Sequence, residues 1–166
     1  MRIVKLLALV VLVAGLSACS SKSKFKKYKG PEVTHVVVHK GDRRMFLLHD
    51  RKVLKSYDID LGFAPKGHKR FEGDGKTPEG TYRIDRRNPN SDFHLSIGIS
   101  YPNARDVALA RAAGKDPGGD IFIHGRPNKK SGNGPDWTAG CISVENDEME
   151  DIYAMVKDGQ LITLRP

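Results

Sequence analysis

Two residues in the last third of the chain are of the types that covalent catalysis uses. His124 is followed by Gly125, and Cys141 is preceded by Gly140, within one stretch running from His124 to Asn146. A thiol attacks a carbonyl effectively as thiolate, and an imidazole within reach can take its proton. Glycine beside each group lets a substrate come close to the backbone. The backbone at Gly125, and around Gly140 and Cys141, is therefore read as a source of N–H groups for a tetrahedral oxyanion. The chemistry such a set supports is acyl transfer through a thioester. The competing reading is a packed structural cysteine beside a loop histidine, because free cysteine is among the most buried residue types.

The elements around these residues suit the first reading. The run Asp120-Ile121-Phe122-Ile123 predicts a buried strand that ends at His124. Beyond Cys141, the residues Met149, Ile152, Tyr153 and Val156 recur at helical spacing before Gly159, with Asn146 placed to cap that helix. A second helix is predicted over the alanine-rich run from Ala104 to Ala113, capped by Asn103 and ended by Gly114. The rest reads as short strands: Val33 to His39, Met45 to Leu48, Val53 to Ile59, Thr81 to Ile84, Phe93 to Ile99 and Leu161 to Leu164. Gly62 to Lys76, rich in glycine and charge, reads as a long loop, and Asp116-Pro117-Gly118-Gly119 as a turn. The expected fold is mainly β, a sandwich of short strands with two short helices.

The segment Thr138-Ala139-Gly140-Cys141, with Asn146 five positions after the cysteine, resembles the signature of the L,D-transpeptidase family with its YkuD-type catalytic domain. His124-Gly125 fills the family's His-Gly step, and Thr77-Pro78-Glu79-Gly80-Thr81-Tyr82 looks like its upstream Thr-Pro-x-Gly turn and strand. The resemblance runs from about Val33 to Arg165. One position departs from it: many members carry histidine before the motif glycine, where this chain has Ala139. The resemblance implies a YkuD-like β-sandwich, Cys141 as nucleophile and His124 as base. It also implies peptidoglycan stem tetrapeptides as substrate, acylation by carbapenems, and no cofactor. With water as acceptor the same thioester would make a hydrolase, and a chain that only kept the fold would be a wall-binding lipoprotein. Thr138, Trp137 and Arg126 are read as substrate-binding: Trp137 as an apolar wall, Arg126 as a bidentate clamp on a carboxylate. Asp136 is a candidate to orient His124, although the family more often uses a backbone carbonyl for that task.

At 166 residues the sequence has room for one domain and a leader. Arg2 and Lys5 precede an apolar run from Leu6 to Leu16, shorter than the roughly 20 residues that span a bilayer. The run ends in Leu16-Ser17-Ala18-Cys19, which looks like a bacterial lipobox with Cys19 as the lipidated residue. The organisation read from this is a signal peptide over 1–18, a lipidated lysine-rich tether over 19–30, and a catalytic domain over 31–166. The protein is thus expected on the periplasmic side of the cell envelope. With Cys19 lipidated, Cys141 has no disulfide partner, which favours a chemical role for its thiol.

The net charge of +8 falls to +6 without Arg2 and Lys5, and Lys22, Lys24, Lys26, Lys27 and Lys29 carry five of those six charges. The domain itself is nearly neutral. The tether is a flexible spacer drawn to anionic lipid or merely solvated, and nucleic acid is excluded as a partner. Metal binding is not expected. His35 and His39 share a strand face but sit about 13 Å apart, and His49, His68 and His94 show no ligand spacing. Gly75-Lys76-Thr77 imitates the end of a phosphate-binding loop, but Arg70 stands where its first glycine belongs.

Overall fold

Apolar residues alternate along short segments, and pairing those segments builds the core. In a computed structural model, which describes residues 23–128 and 134–166, eight strands and two helices are present. The strands are β1 (His35–His39), β2 (Arg44–His49), β3 (Lys52–Asp58), β4 (Gly80–Asn88), β5 (Ser96–Ile99), β6 (Phe122–His124), β7 (Ile142–Ser143) and β8 (Leu161–Arg165). The helices are α1 (Ala104–Ala112) and α2 (Asn146–Met155). The expected signal peptide and Cys19 lie outside the described residues.

The strands join in the order β3-β2-β1-β8-β4-β5-β6-β7, antiparallel except for the β1–β8 and β6–β7 pairs. β4 turns the corner of this curled sheet. Its first half, Gly80 to Arg83, pairs with β8, and its second half pairs with β5 after an irregularity between Ile84 and Arg86. Val36, Met45, Ile84, Ile97, Ile123 and Ile162 from both halves share one core with Met149 and Ile152 of α2. The mainly β fold with two short helices is the one expected.

The elements differ from the sequence reading in four places. β4 runs to Asn88 and not only to Ile84, because its charged end lays guanidinium groups on aromatic rings. Arg86 sits 4.6 Å from the Phe122 ring centre and Arg87 4.1 Å from that of Tyr153. Phe93 to Leu95 leaves the strand, since His94 takes a left-handed φ of 70° and the Leu95 N–H turns back to the Phe93 carbonyl. At α2 the cap is Glu145, whose N–H is received by the Glu148 carboxylate at 3.1 Å, and Asn146 is the first helical residue. The described part of the tether is not a loose spacer. Lys24, Lys26 and Tyr28 turn inward, and Lys26 bonds Asp151 at 2.8 Å along α2. At α1, by contrast, the Asn103 cap stands as read, its side chain receiving the N–H groups of Arg105 and Asp106.

Candidate active site

His124 ends β6 and is 4% exposed. Its Nδ1 lies 2.7 Å from the Gly125 carbonyl oxygen. That oxygen can only accept, so Nδ1 carries the proton of the neutral ring and Nε2 keeps the lone pair. The His-Gly step is held from two sides. The Gly125 N–H donates to the Phe93 carbonyl at 3.0 Å, and the Arg126 N–H donates to Asn146 Oδ1 at 2.7 Å. Gly125 is required there, because a Cβ would stand 2.5 Å from that same Asn146 oxygen. Burial lowers the His124 pKa below its ordinary value; the Gly125 bond works against this and the Arg126 charge adds to it.

Cys141 comes from a turn that Thr138 closes on itself. The Thr138 hydroxyl donates to the Cys141 carbonyl at 2.7 Å and receives the Gly140 N–H at 3.2 Å. Gly140 has φ 136°, and a Cβ on it would meet the Lys76 carbonyl at 2.8 Å, so only glycine fits. The turn rests on the loop after β3, which two buried lysines hold in place. Lys40, 2% exposed at the end of β1, pairs with Glu79 at 2.9 Å and donates to the carbonyls of Gly67 and Thr77. Lys69 pairs with Asp74, whose carboxylate also receives the N–H groups of Arg70, Phe71 and Lys76.

Cys141 and His124 line one cavity of about 430 Å³, together with Phe93, Asp120, Phe122 and Trp137. Phe93 lies 4.5 Å and Trp137 5.7 Å from the imidazole, ring centre to ring centre. The half-buried Cys141 Sγ contacts the Asp120 carbonyl and receives the Phe122 N–H, both at 3.4 Å. No hydrogen bond joins Sγ to the imidazole among the described residues. Burial raises the thiol pKa, and the Phe122 N–H offsets part of this. The resting pair is thus a neutral thiol and a neutral imidazole facing one space, an arrangement suited to general-base activation once substrate arrives.

Other residues singled out in the sequence are placed differently. Arg126 does not line the cavity: its guanidinium binds Asp60 at 2.8 Å and Glu145 at 2.9 Å, so the carboxylate clamp is corrected to a structural ion pair. Gly125 and Gly140 are not free oxyanion donors, since Phe93 and Thr138 take their N–H groups. The N–H of Cys141 itself has no acceptor among the described residues. The Thr138 hydroxyl is committed to the turn and does not face a ligand, although the residue lines the cavity. Asp136 binds Arg43 and the Leu61 N–H, and the Gly125 carbonyl is what orients His124. Trp137 forms the apolar wall. Among the described residues no cluster of ligating side chains could hold a metal.

A curled β-sheet thus sets a cysteine turn and a buried histidine on one cavity. The YkuD family profile, the L,D-transpeptidase catalytic domain, matches residues 33–164, and the chain belongs to this family. YafK of Escherichia coli (strain K12), which carries an L,D-transpeptidase name, is 28% identical over 94% of this chain. The chain spans 62% of YafK's length. A point mutant of Pgp2 from Campylobacter jejuni, described as a helical cell shape determining protein, superposes with a TM-score of 0.63 at 28% identity. That match covers 90% of this chain and 52% of Pgp2. The L,D-transpeptidase of Enterococcus faecium shares the fold at 17% identity and a TM-score of 0.53, over 81% of this chain and 50% of its own.

Proposed function

We propose that the protein is an L,D-transpeptidase acting on peptidoglycan stem tetrapeptides, with Cys141 as nucleophile and His124 as its base. The observation that carries this reading is the shared cavity: a thiol and a neutral imidazole, the latter fixed as the tautomer whose free lone pair is on Nε2. Substrate binding draws the Sγ proton from the Asp120 carbonyl to Nε2, and the sulfur attacks the carbonyl of the bond to the terminal D-alanine. The Cys141 N–H is the donor left for the oxyanion. The imidazolium returns its proton to the leaving D-alanine amine, and a thioester remains. An acceptor amine then gives up a proton to His124, attacks the thioester and frees the thiol. Nothing in this sequence of steps requires a cofactor.

Three observations support the assignment. The site is apolar on the Phe93, Phe122 and Trp137 side, a surface on which the apolar parts of a stem peptide can pack. The similar proteins carry transpeptidase or cell-shape names. The leader and lipobox-like sequence would place the domain in the periplasm, tethered by lipid on Cys19 to the membrane that faces the wall. Incubating the purified protein with disaccharide-tetrapeptide tests the reading. A cross-linked dimer with released D-alanine is the expected product; a shortened stem alone would make the protein a hydrolase, and unchanged substrate would contradict the assignment. The same thiolate should open a carbapenem and retain it as one adduct on Cys141.

A further inference from the structure

We infer that the lysine-rich strap, residues 24–28, is a positioning element of the site: the Lys24 ammonium closes the loop that sets Phe93 against His124. The inference rests on the transpeptidase reading for its kinetic test, while its geometric basis is independent of that reading. Burial alternates along the strap, with Lys24, Lys26 and Tyr28 half-buried and Phe25, Lys27 and Lys29 exposed. Such a period of two belongs to an extended segment lying on a surface, not to a solvated coil.

Lys24 Nζ donates to the Pro89 carbonyl at 2.7 Å and to the His94 carbonyl at 3.0 Å, bridging the two ends of one short loop. Within that loop Ser91, Asp92 and Phe93 line the Cys141 cavity. Phe93 holds the His-Gly step twice over: its ring stands 4.5 Å from that of His124, and its carbonyl receives the Gly125 N–H. The loop needs a clasp. His94 holds a left-handed φ of 70°, and only surrounding contacts keep a non-glycine residue there. One contact is its own ring, with Nε2 3.0 Å from Glu150 Oε1. Lys26 is fastened to the same stretch of α2, 2.8 Å from Asp151 Oδ1 and from the Asp147 carbonyl and 3.5 Å from Glu150. Strap, loop and helix therefore close one ring of contacts, and Phe93 of that loop packs on His124. With the proposed lipid on Cys19, five residues before Lys24, at most about 18 Å of chain separates the lipidated residue from this clasp.

The test uses the full-length lipidated protein in detergent, comparing Lys24→Met, Lys24→Arg and, as a control outside the clasp, Lys27→Met. Two readouts are taken: turnover of disaccharide-tetrapeptide, and titration of the His124 ring by NMR. That ring faces Phe93, Trp137, the Gly125 carbonyl, the Arg126 charge and the Cys141 thiol. Lys24→Met should lower kcat about tenfold with little change in KM, the scale expected for a small misplacement of a catalytic group. It should also move the His124 midpoint up toward about 6.5, as water reaches a ring no longer covered by Phe93. Lys24→Arg should restore most of both, and Lys27→Met should match wild type. The strap is refuted as a positioning element if the His124 midpoint stays put in Lys24→Met, whatever happens to turnover. It is equally refuted if Lys27→Met does as much as Lys24→Met. If the wild-type protein turns over no stem peptide, the transpeptidase reading fails, and the titration alone still decides for or against the strap.

Discussion

His124 is neutral at rest, with its Nδ1 proton committed to the Gly125 carbonyl, so a proton leaving Cys141 has Nε2 as its acceptor. Burial raises the thiol and lowers the imidazole, which holds both groups uncharged until substrate arrives. The sign for catalysis follows directly: the base works only when unprotonated, and its folded value lies below the usual value of about 6.5. The acid limb of kcat/KM should therefore fall below about pH 6.5, and a limb above it would show that His124 is not the base. His124→Ala should cost about 10²–10⁴-fold in acylation, the usual share of a positioned base. A loss under about tenfold, measured by single-turnover kinetics, would assign the proton to another group. That these two residues come together at one cavity was legible from type and spacing. The placement of Arg126 was not, because its partners Asp60 and Glu145 are distant in sequence and reveal themselves only when β7 and α2 come together.

Elements place these groups, and the sequence reveals elements best where burial follows a simple period. The β-branched run of β1, the Met149–Ile152 face of α2 and the Asn103 cap of α1 could all be read directly. The charged end of β4 and the kink at His94 could not, since both depend on aromatic or carboxylate partners brought in from elsewhere. Least legible were the buried lysines: Lys40 and Lys69 look like surface residues by type, yet they hold the loop beneath the Cys141 turn. Lys40→Met should destabilise the protein by about 3 kcal/mol, because Glu79 and two carbonyls lose their donor in a buried setting. Chemical denaturation measures this, and Lys40→Met combined with Glu79→Gln should recover part of the loss. An unchanged midpoint in the single variant would mean the loop holds itself.

Acid sensitivity of two kinds is expected at the scale of the whole molecule. His124 has a folded pKa below its unfolded one, so between those values the unfolded chain binds the extra proton and stability falls as pH drops below about 6.5. Asp74 and Asp151 lie below the ordinary carboxylate value despite burial, held down by backbone N–H groups and Lys69 for the first, and by Lys26 and Lys55 for the second. Their stabilisation is complete above about pH 3.9 and is lost as pH falls through their lower folded values. Thermal melts from pH 8 to pH 3 should show two declines; a flat profile down to about pH 4 would contradict a buried neutral His124. Attachment is tested by fractionation. Cys19→Ala should leave the membrane pellet or fail to be processed, whereas a variant that stays bound in high salt would exclude lipid as the anchor. A thioester on Cys141 is sought by intact-protein mass spectrometry after rapid quenching with disaccharide-tetrapeptide. A covalent increment equal to the substrate minus D-alanine is expected, mapped to Cys141 and absent from Cys141→Ala. Turnover with no adduct on Cys141, or an unchanged rate in Cys141→Ala, would contradict it.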